Sequence, residues 1–347
     1  MMQKNWRTFL QNYNAVIDND RVIQFGDCQA ELKHAQTETI LTDLSHYGLL
    51  CFSGNDTQAF LQSQLSCDVM EVKADRAQYG SYCTPKGRVL ANFTLWQRND
   101  EWMMQLPISL CEAIQKRLSM FVLRSKVHIN DCSEQWIRIG VAGIEACKRI
   151  EDVMETSLQI CQQLRVMHTP KASIFCYAPN RLELLVSEVY AGELWQTLSK
   201  NIHPVGAACW DWMQIRAGIP VILTPTQEQF LPQMINLDII GGVSFKKGCY
   251  PGQEIVARTQ YLGKLKRRMF LANIATNNPV SAGDDLFDIE TNDQSCGKIV
   301  NAAPAPNGGY DVLAVIQHSS VDAGKIYWKN PCGPVLSIDS LPYTLDV

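Results

Sequence analysis

The sequence predicts an α+β fold followed by a small antiparallel β-barrel. Two observations carry that expectation. Up to about residue 262, strand-like and helix-like patterns alternate and are joined by hairpins rather than uniform crossovers, which suggests split β-α-β units. From Arg267 onward only short strand-like runs remain (RRMFLANI, CGKIVNA, YDVLAVIQ, KIYWK), separated by NNP, PNGG and NPCG turns, with no helical period. The expected division is therefore residues 1–262 and residues 263–347.

The elements follow in order. YGLLCF (Tyr47–Phe52) reads as a strand, and SGND after it as a turn that caps a helix start. TQAFLQSQL then places Phe60, Leu61 and Leu65 on one helical face. Tyr79–Trp96 is expected to be a hairpin turning at Thr84–Gly87. Glu101–Pro107 adds a strand and Leu110–Val122 a helix. A second strand–helix–strand set covers Ile137–Ala142, Ile144–Leu158 and Arg181–Val186. Trp210 and Trp212, two apart, fit a strand whose side chains alternate between core and solvent, or an aromatic wall for a flat heterocycle. A helix is expected from Pro251 through QEIVARTQYL, with Ile255, Thr259 and Leu262 on one side.

Composition narrows the function classes. At 347 residues, with 46% hydrophobic and 19% charged residues, the chain has the make-up of a soluble globular protein of more than one unit. A net charge of −4 disfavours strong direct nucleic-acid binding, which needs a basic surface. The start, MMQKNWRTFLQNYN, lacks a signal peptide's apolar core and no run has the length of a membrane span, so a cytoplasmic protein without membrane contact is expected. Thirteen cysteines form no Cys-x-x-Cys pair, and most read as small buried hydrophobes. The six histidines are scattered without metal-ligand spacing, so no metal site is expected.

The chemistry concentrates between Trp210 and Glu254. FKKGCYPGQE places Cys249 just before the expected helix start, with Lys246 and Lys247 beside it and Gly248, Tyr250, Gly252, Gln253, Glu254 and Arg258 around it. Free amides, a helix dipole and two ammonium groups favour a thiolate, or equally an anion cradle. A small buried cysteine beside two solvated lysines fits the same residues. The cluster Lys264, Lys266, Arg267 and Arg268 reads as a solvated strand end or a basic docking strip.

GVSFKKGCYPGQEIVAR resembles the signature of the YgfZ family, folate-binding proteins related to the glycine-cleavage T-protein. DLSHYGLLCFSGNDTQAFLQSQLSCDV, YCTPKGRVLANFTLW, AGIPV, QFLPQMINLDIIGG and the terminal LPYTL fall in the family's order. The resemblance implies a GcvT-like ring of ferredoxin-like α/β subdomains closed by a C-terminal antiparallel β-barrel. It further implies tetrahydrofolate binding and a role in assembling, maintaining or repairing iron–sulfur enzymes, a tRNA-modifying methylthiotransferase among them. The family's folate-stacking aromatics fall on Trp210 and Tyr47, and its reactive cysteine on Cys249, in transient contact with a partner's iron–sulfur cluster. T-proteins carry a catalytic aspartate where this chain has Leu90, Ala91 and Asn92, so the general acid/base step lacks an agent here. MQIRAG sets Arg216 at a rim position, where it is expected to attract a folate glutamyl tail. The first reading is thus a monomeric folate-dependent accessory protein with iron–sulfur clients; the alternatives are a one-carbon (aminomethyl) transferase and a plain binding module.

Overall fold

The computed structural model describes residues 2–158, 162–261, 263, 265–288 and 294–345. Leu262 and Lys264, both named above, lie outside the described residues. The chain divides into two compact units. The first holds residues 1–57, 71–78 and 94–210, and the second residues 58–70, 79–93 and 211–347.

In chain order, α1 (Lys4–Gln11), β1 (Val16–Asp18), β2 (Arg21–Gln24) and α2 (Cys28–Thr37) come first. They are followed by β3 (Ile40–Asp43), β4 (Tyr47–Ser53), α3 (Thr57–Gln64), β5 (Gln78–Cys83) and β6 (Val89–Arg98). Next are β7 (Glu101–Pro107), α4 (Ile108–Ser119), β8 (His128–Asp131), β9 (Trp136–Ala142) and α5 (Ala146–Met154). Then come β10 (Arg165–His168), β11 (Ala172–Ala178), β12 (Arg181–Ser187), α6 (Glu188–Leu198), β13 (His203–Val205) and α7 (Ala207–Arg216). The rest is α8 (Gln253–Tyr261), β14 (Arg267–Ile274), β15 (Asp285–Asp288), β16 (Ser295–Pro304), β17 (Tyr310–Gln317), α9 (His318–Ala323), β18 (Ile326–Trp328) and β19 (Leu336–Asp339).

The first unit is organised by a six-stranded sheet of order β10-β11-β12-β9-β3-β13. Its neighbours are antiparallel except β13, which runs parallel to β3. Strand alternation sends Ile137, Ile139, Val141, Leu182, Leu184 and Val186 to one face, where α1, α5 and α6 add Trp6, Leu10, Ile150 and Trp195 to a dry core. A second sheet segment in this unit sets β7, β4 and β8 side by side, with Thr94–Arg98 of β6 pairing along β7. Asp27 starts α2 by accepting from the Ala30 amide at 2.8 Å, the expected use of an aspartate ahead of a helix.

In the second unit, β5 is joined to its neighbour β6 by the hairpin turn expected at Thr84–Gly87, where the Gly87 amide donates to the Thr84 carbonyl at 2.8 Å. The C-terminal part is a curled antiparallel sheet, β18-β15-β16-β17-β14-β19, around a core that includes Leu286, Ile299, Val312, Ile316 and Trp328. The expectation of an all-strand tail is corrected by α9, six residues whose Gly324 cap takes a left-handed φ of 83°. Two further expectations change. Trp210 and Trp212 stand on α7, not on a strand. Helix α8 begins at Gln253 rather than Pro251; it buries Val256, while Ile255 is exposed.

Candidate functional site

The face of the first unit's sheet opposite the dry core is polar and still buried. The same alternation that buries Ile137 and Ile139 turns Arg138 and Gly140 the other way, and on the neighbouring strand Arg181 and Glu183. Arg138 is 2% exposed and Glu183 1%. Glu183 Oε2 accepts from Gln105 Nε2 and from the Tyr177 hydroxyl, both at 2.9 Å. Its other oxygen, Oε1, is buried with no hydrogen-bond partner among the described residues, and so is Nη1 of Arg138. Burial raises the Glu183 pKa, opposed by the Gln105 hydrogen bond, the Arg138 charge and the Tyr177 hydroxyl. Burial lowers the Arg138 pKa, opposed by the charges of Glu183 and Asp43. The result is a dry cation–anion face with one acceptor and one donor unspent.

Trp210 closes this face. It is 1% exposed and rests on Gly140, where a Cβ would come within 2.7 Å of the ring, so the glycine makes room for the indole. Tyr177 meets it edge-on at 6.2 Å and the Arg181 guanidinium lies 5.7 Å from its ring centre. Tyr47 is also buried, its ring 4.5 Å from that of His46. In the second unit, Trp212 donates to Asp311 at 2.8 Å. Arg216, expected at a ligand rim, is in an ion pair with Asp339 at 2.6 Å and lies 3.7 Å from Asp311.

The cysteine motif belongs to the second unit. Lys247 is buried and its ammonium donates to the carbonyls of Leu65 at 2.6 Å and Cys67 at 2.8 Å, 5.3 Å from the Tyr250 ring centre. Desolvation lowers its pKa. Lys247 is therefore a buried tie for the turn, which corrects the reading of a buried cysteine beside two solvated lysines; Lys246 alone of the pair is exposed, and so is Cys249. Tyr250 is buried beneath the turn, whereas Gly248, Cys249, Glu254 and Arg258 are exposed. Gly252, at a φ of 83°, presses its backbone onto the hairpin: a Cβ there would lie 2.5 Å from the Thr84 carbonyl and 2.6 Å from Gly87 Cα. Gln253 opens α8 with its amide bonded to the Tyr250 carbonyl at 3.1 Å, and its side chain reaches the Lys247 carbonyl at 3.5 Å. Cys249 thus stands on a turn fixed from below, with its thiol outward.

Leu90, Ala91 and Asn92 are all buried, and Asn92 has a structural role. Its Nδ2 donates to the Pro220 carbonyl and its Oδ1 accepts from the Ile222 amide, both at 2.7 Å. Of the basic cluster, Arg268 is buried in a two-pronged pair with Asp238 at 2.7 and 2.9 Å, while Lys266 and Arg267 line a cavity of about 330 Å³ with Arg88 and Lys298. In space, His34, Glu38 and His203 bring three ligand-type atoms within 4.8 Å of one another. Among the described residues, no helix is long and apolar enough to cross a membrane.

Sequence reasoning missed Glu183, Arg138, Gln105 and Tyr177. Their signal was present: charges at alternate positions of otherwise wholly apolar strands, IRIGV and RLELLV, mark a second face that is not ordinary solvent.

Residues 6–247 match the profile of the GCVT N-terminal domain, well over half of the chain. The chain belongs to the GCVT N-terminal domain family. The matched residues end at Lys247, two before Cys249. Curated relatives named tRNA-modifying protein YgfZ are similar over most of the length. The one from Colwellia psychrerythraea is 29% identical over 89% of this chain and 94% of its own. That from Vibrio atlanticus is 28% identical over 91% and 97%. Among solved structures, the glycine cleavage system aminomethyltransferase T from Bartonella henselae superposes with a TM-score of 0.81 over 99% of this chain and 97% of its own, at 16% identity, which shows a common GcvT fold.

Proposed function

We propose that the protein binds a tetrahydrofolate at the Glu183 face and serves as an accessory factor for iron–sulfur enzymes, with Cys249 as its working thiol. One observation carries the folate part: a buried carboxylate with one oxygen held by Gln105 and Tyr177 and the other unspent, beside an indole. A pterin ring presents adjacent N–H donors in one plane, and an ionised carboxylate is their natural acceptor. Arg138 favours that ionised form, and Trp210 supplies an aromatic wall, with Tyr47 as the second aromatic of the reading. Glu183 and Trp210 are covered, so the ligand reaches them only as their covering residues move. When bound, tetrahydrofolate supplies a nucleophilic ring nitrogen and a reducing ring.

The accessory role rests on the outward thiol and on similarity to relatives named tRNA-modifying proteins. An exposed cysteine on a fixed turn suits transient ligation of a partner's cluster iron or thiol exchange with a client such as a tRNA methylthiotransferase. In this reading the protein is a cytoplasmic monomer that touches nucleic acid only through its clients. Aminomethyl transfer finds less support, because Asn92 spends both of its polar atoms on the 220–222 loop.

Calorimetric titration with tetrahydrofolate tests the reading. Wild type is expected to bind, Trp210→Phe to bind more weakly, and Glu183→Gln to lose at least tenfold in affinity while staying folded by circular dichroism. Equal affinity in wild type and folded Glu183→Gln overturns the assignment.

A further inference from the structure

We infer that His34, Glu38 and His203 form a binding site for a divalent transition-metal ion of the zinc class. His34 sits in the last turn of α2 and Glu38 caps that helix, so the two lie four apart on one face. The partner arrives from far along the chain: β13 pairs in parallel with β3, and the register sets His203 opposite Ile40, two residues beyond Glu38. His34 Nδ1 lies 3.1 Å from Glu38 Oε1, and His203 Nε2 lies 3.0 Å from Glu38 Oε2. The two imidazoles stack with centroids 4.3 Å apart and an interplanar angle of 16°.

Two imidazole nitrogens and a carboxylate are ligands for zinc, nickel or cobalt; calcium and magnesium prefer all-oxygen shells. Bonds to such an ion are roughly 2.0–2.2 Å, so the ion sits between groups that now approach one another at 3.1 and 3.0 Å, and it binds them in their deprotonated form. The adjustment is small and local, because the side chains are 35%, 45% and 57% exposed and free to turn. Three protein ligands leave a fourth position for water, the arrangement of an open site rather than a closed structural one. The C-terminal end of α2 adds to the attraction, since the partial negative charge of a helix end favours a cation. The bound ion ties α2 to β13.

Cobalt(II) alone serves as the probe, read by absorbance of the full-length protein. One saturable equivalent with visible d–d bands and no thiolate-to-cobalt charge-transfer band is expected. His203→Ala and Glu38→Ala each weaken it at least tenfold, and Cys249→Ser leaves it unchanged. His203→Gln, with an unaltered melting midpoint in the absence of metal, checks that any loss is not misfolding. Absence of saturable binding, a thiolate charge-transfer band, or equal binding by a folded His34→Ala/His203→Ala variant overturns the site.

Discussion

Replacing Lys247 by methionine separates two roles for the lysine beside the cysteine. Methionine keeps the length of the side chain and removes the ammonium. Two buried carbonyls, of Leu65 and Cys67, then lose a charge-assisted donor at 2.6 and 2.8 Å. Each loss costs about 1–3 kcal/mol, and relief of the buried ammonium's desolvation returns part of it, leaving a net destabilisation of about 2 kcal/mol. Urea unfolding followed by tryptophan fluorescence measures it as a lower midpoint at unchanged slope. The same variant is alkylated with iodoacetamide across a pH series at Cys249. A lysine spent on carbonyls leaves the alkylation profile where it was in wild type. Unchanged stability together with an alkylation midpoint moved by about one pH unit refutes the reasoning, because the ammonium then acts on the thiol and not on the turn.

Asn92→Asp removes the donor to the Pro220 carbonyl and places a carboxylate against it, so a loss of about 2–4 kcal/mol in urea unfolding is expected, with no gain of aminomethyl transfer. Glu183 has its folded-state pKa raised by burial, so the folded protein binds more protons than the unfolded chain above the usual glutamate range. Its contribution therefore favours folding at low pH and fades as pH rises through the folded pKa. Glu183→Gln removes that slope, and the variant's stability relative to wild type is expected to improve from pH 5 to pH 8 in denaturant titrations. Cys249→Ala is expected to leave the melting midpoint in place, the side chain being exposed, while a strain relying on that variant loses iron–sulfur enzyme activity; full activity sinks the thiol role.

Much of the fold was legible where one pattern had one meaning. YGLLCF, an apolar run, and RLELLV, apolar but for Arg181 and Glu183, have strand length, and they became β4 and β12. Strands β10 and β11 escaped because HTPKASIFCYA joins two short runs through a turn that carries no glycine. AACWDWMQIR gave no clear helical stripe, since Trp210 and Trp212 are both large and turn to different neighbours, and α7 was invisible. At the site, the turn chemistry of CYPGQE announced itself, whereas the burial of Lys247 did not: a lysine reads as solvated unless its acceptors are known, and Leu65 and Cys67 are remote in sequence. Glu183 and Arg138 meet diagonally across two strands, and His34 meets His203 through a parallel pairing; neither encounter exists before the sheet does.

The contact between Gly252 and Gly87 has a consequence for engineering. The position of the cysteine turn is registered backbone to backbone against the hairpin, with Lys247 and Tyr250 anchoring it underneath. The residue at position 249 therefore contributes nothing to where its own Cα stands. Serine, selenocysteine or an unnatural thiol can be carried there at a constant location, which makes the turn a fixed mount on which reactivity can be varied alone.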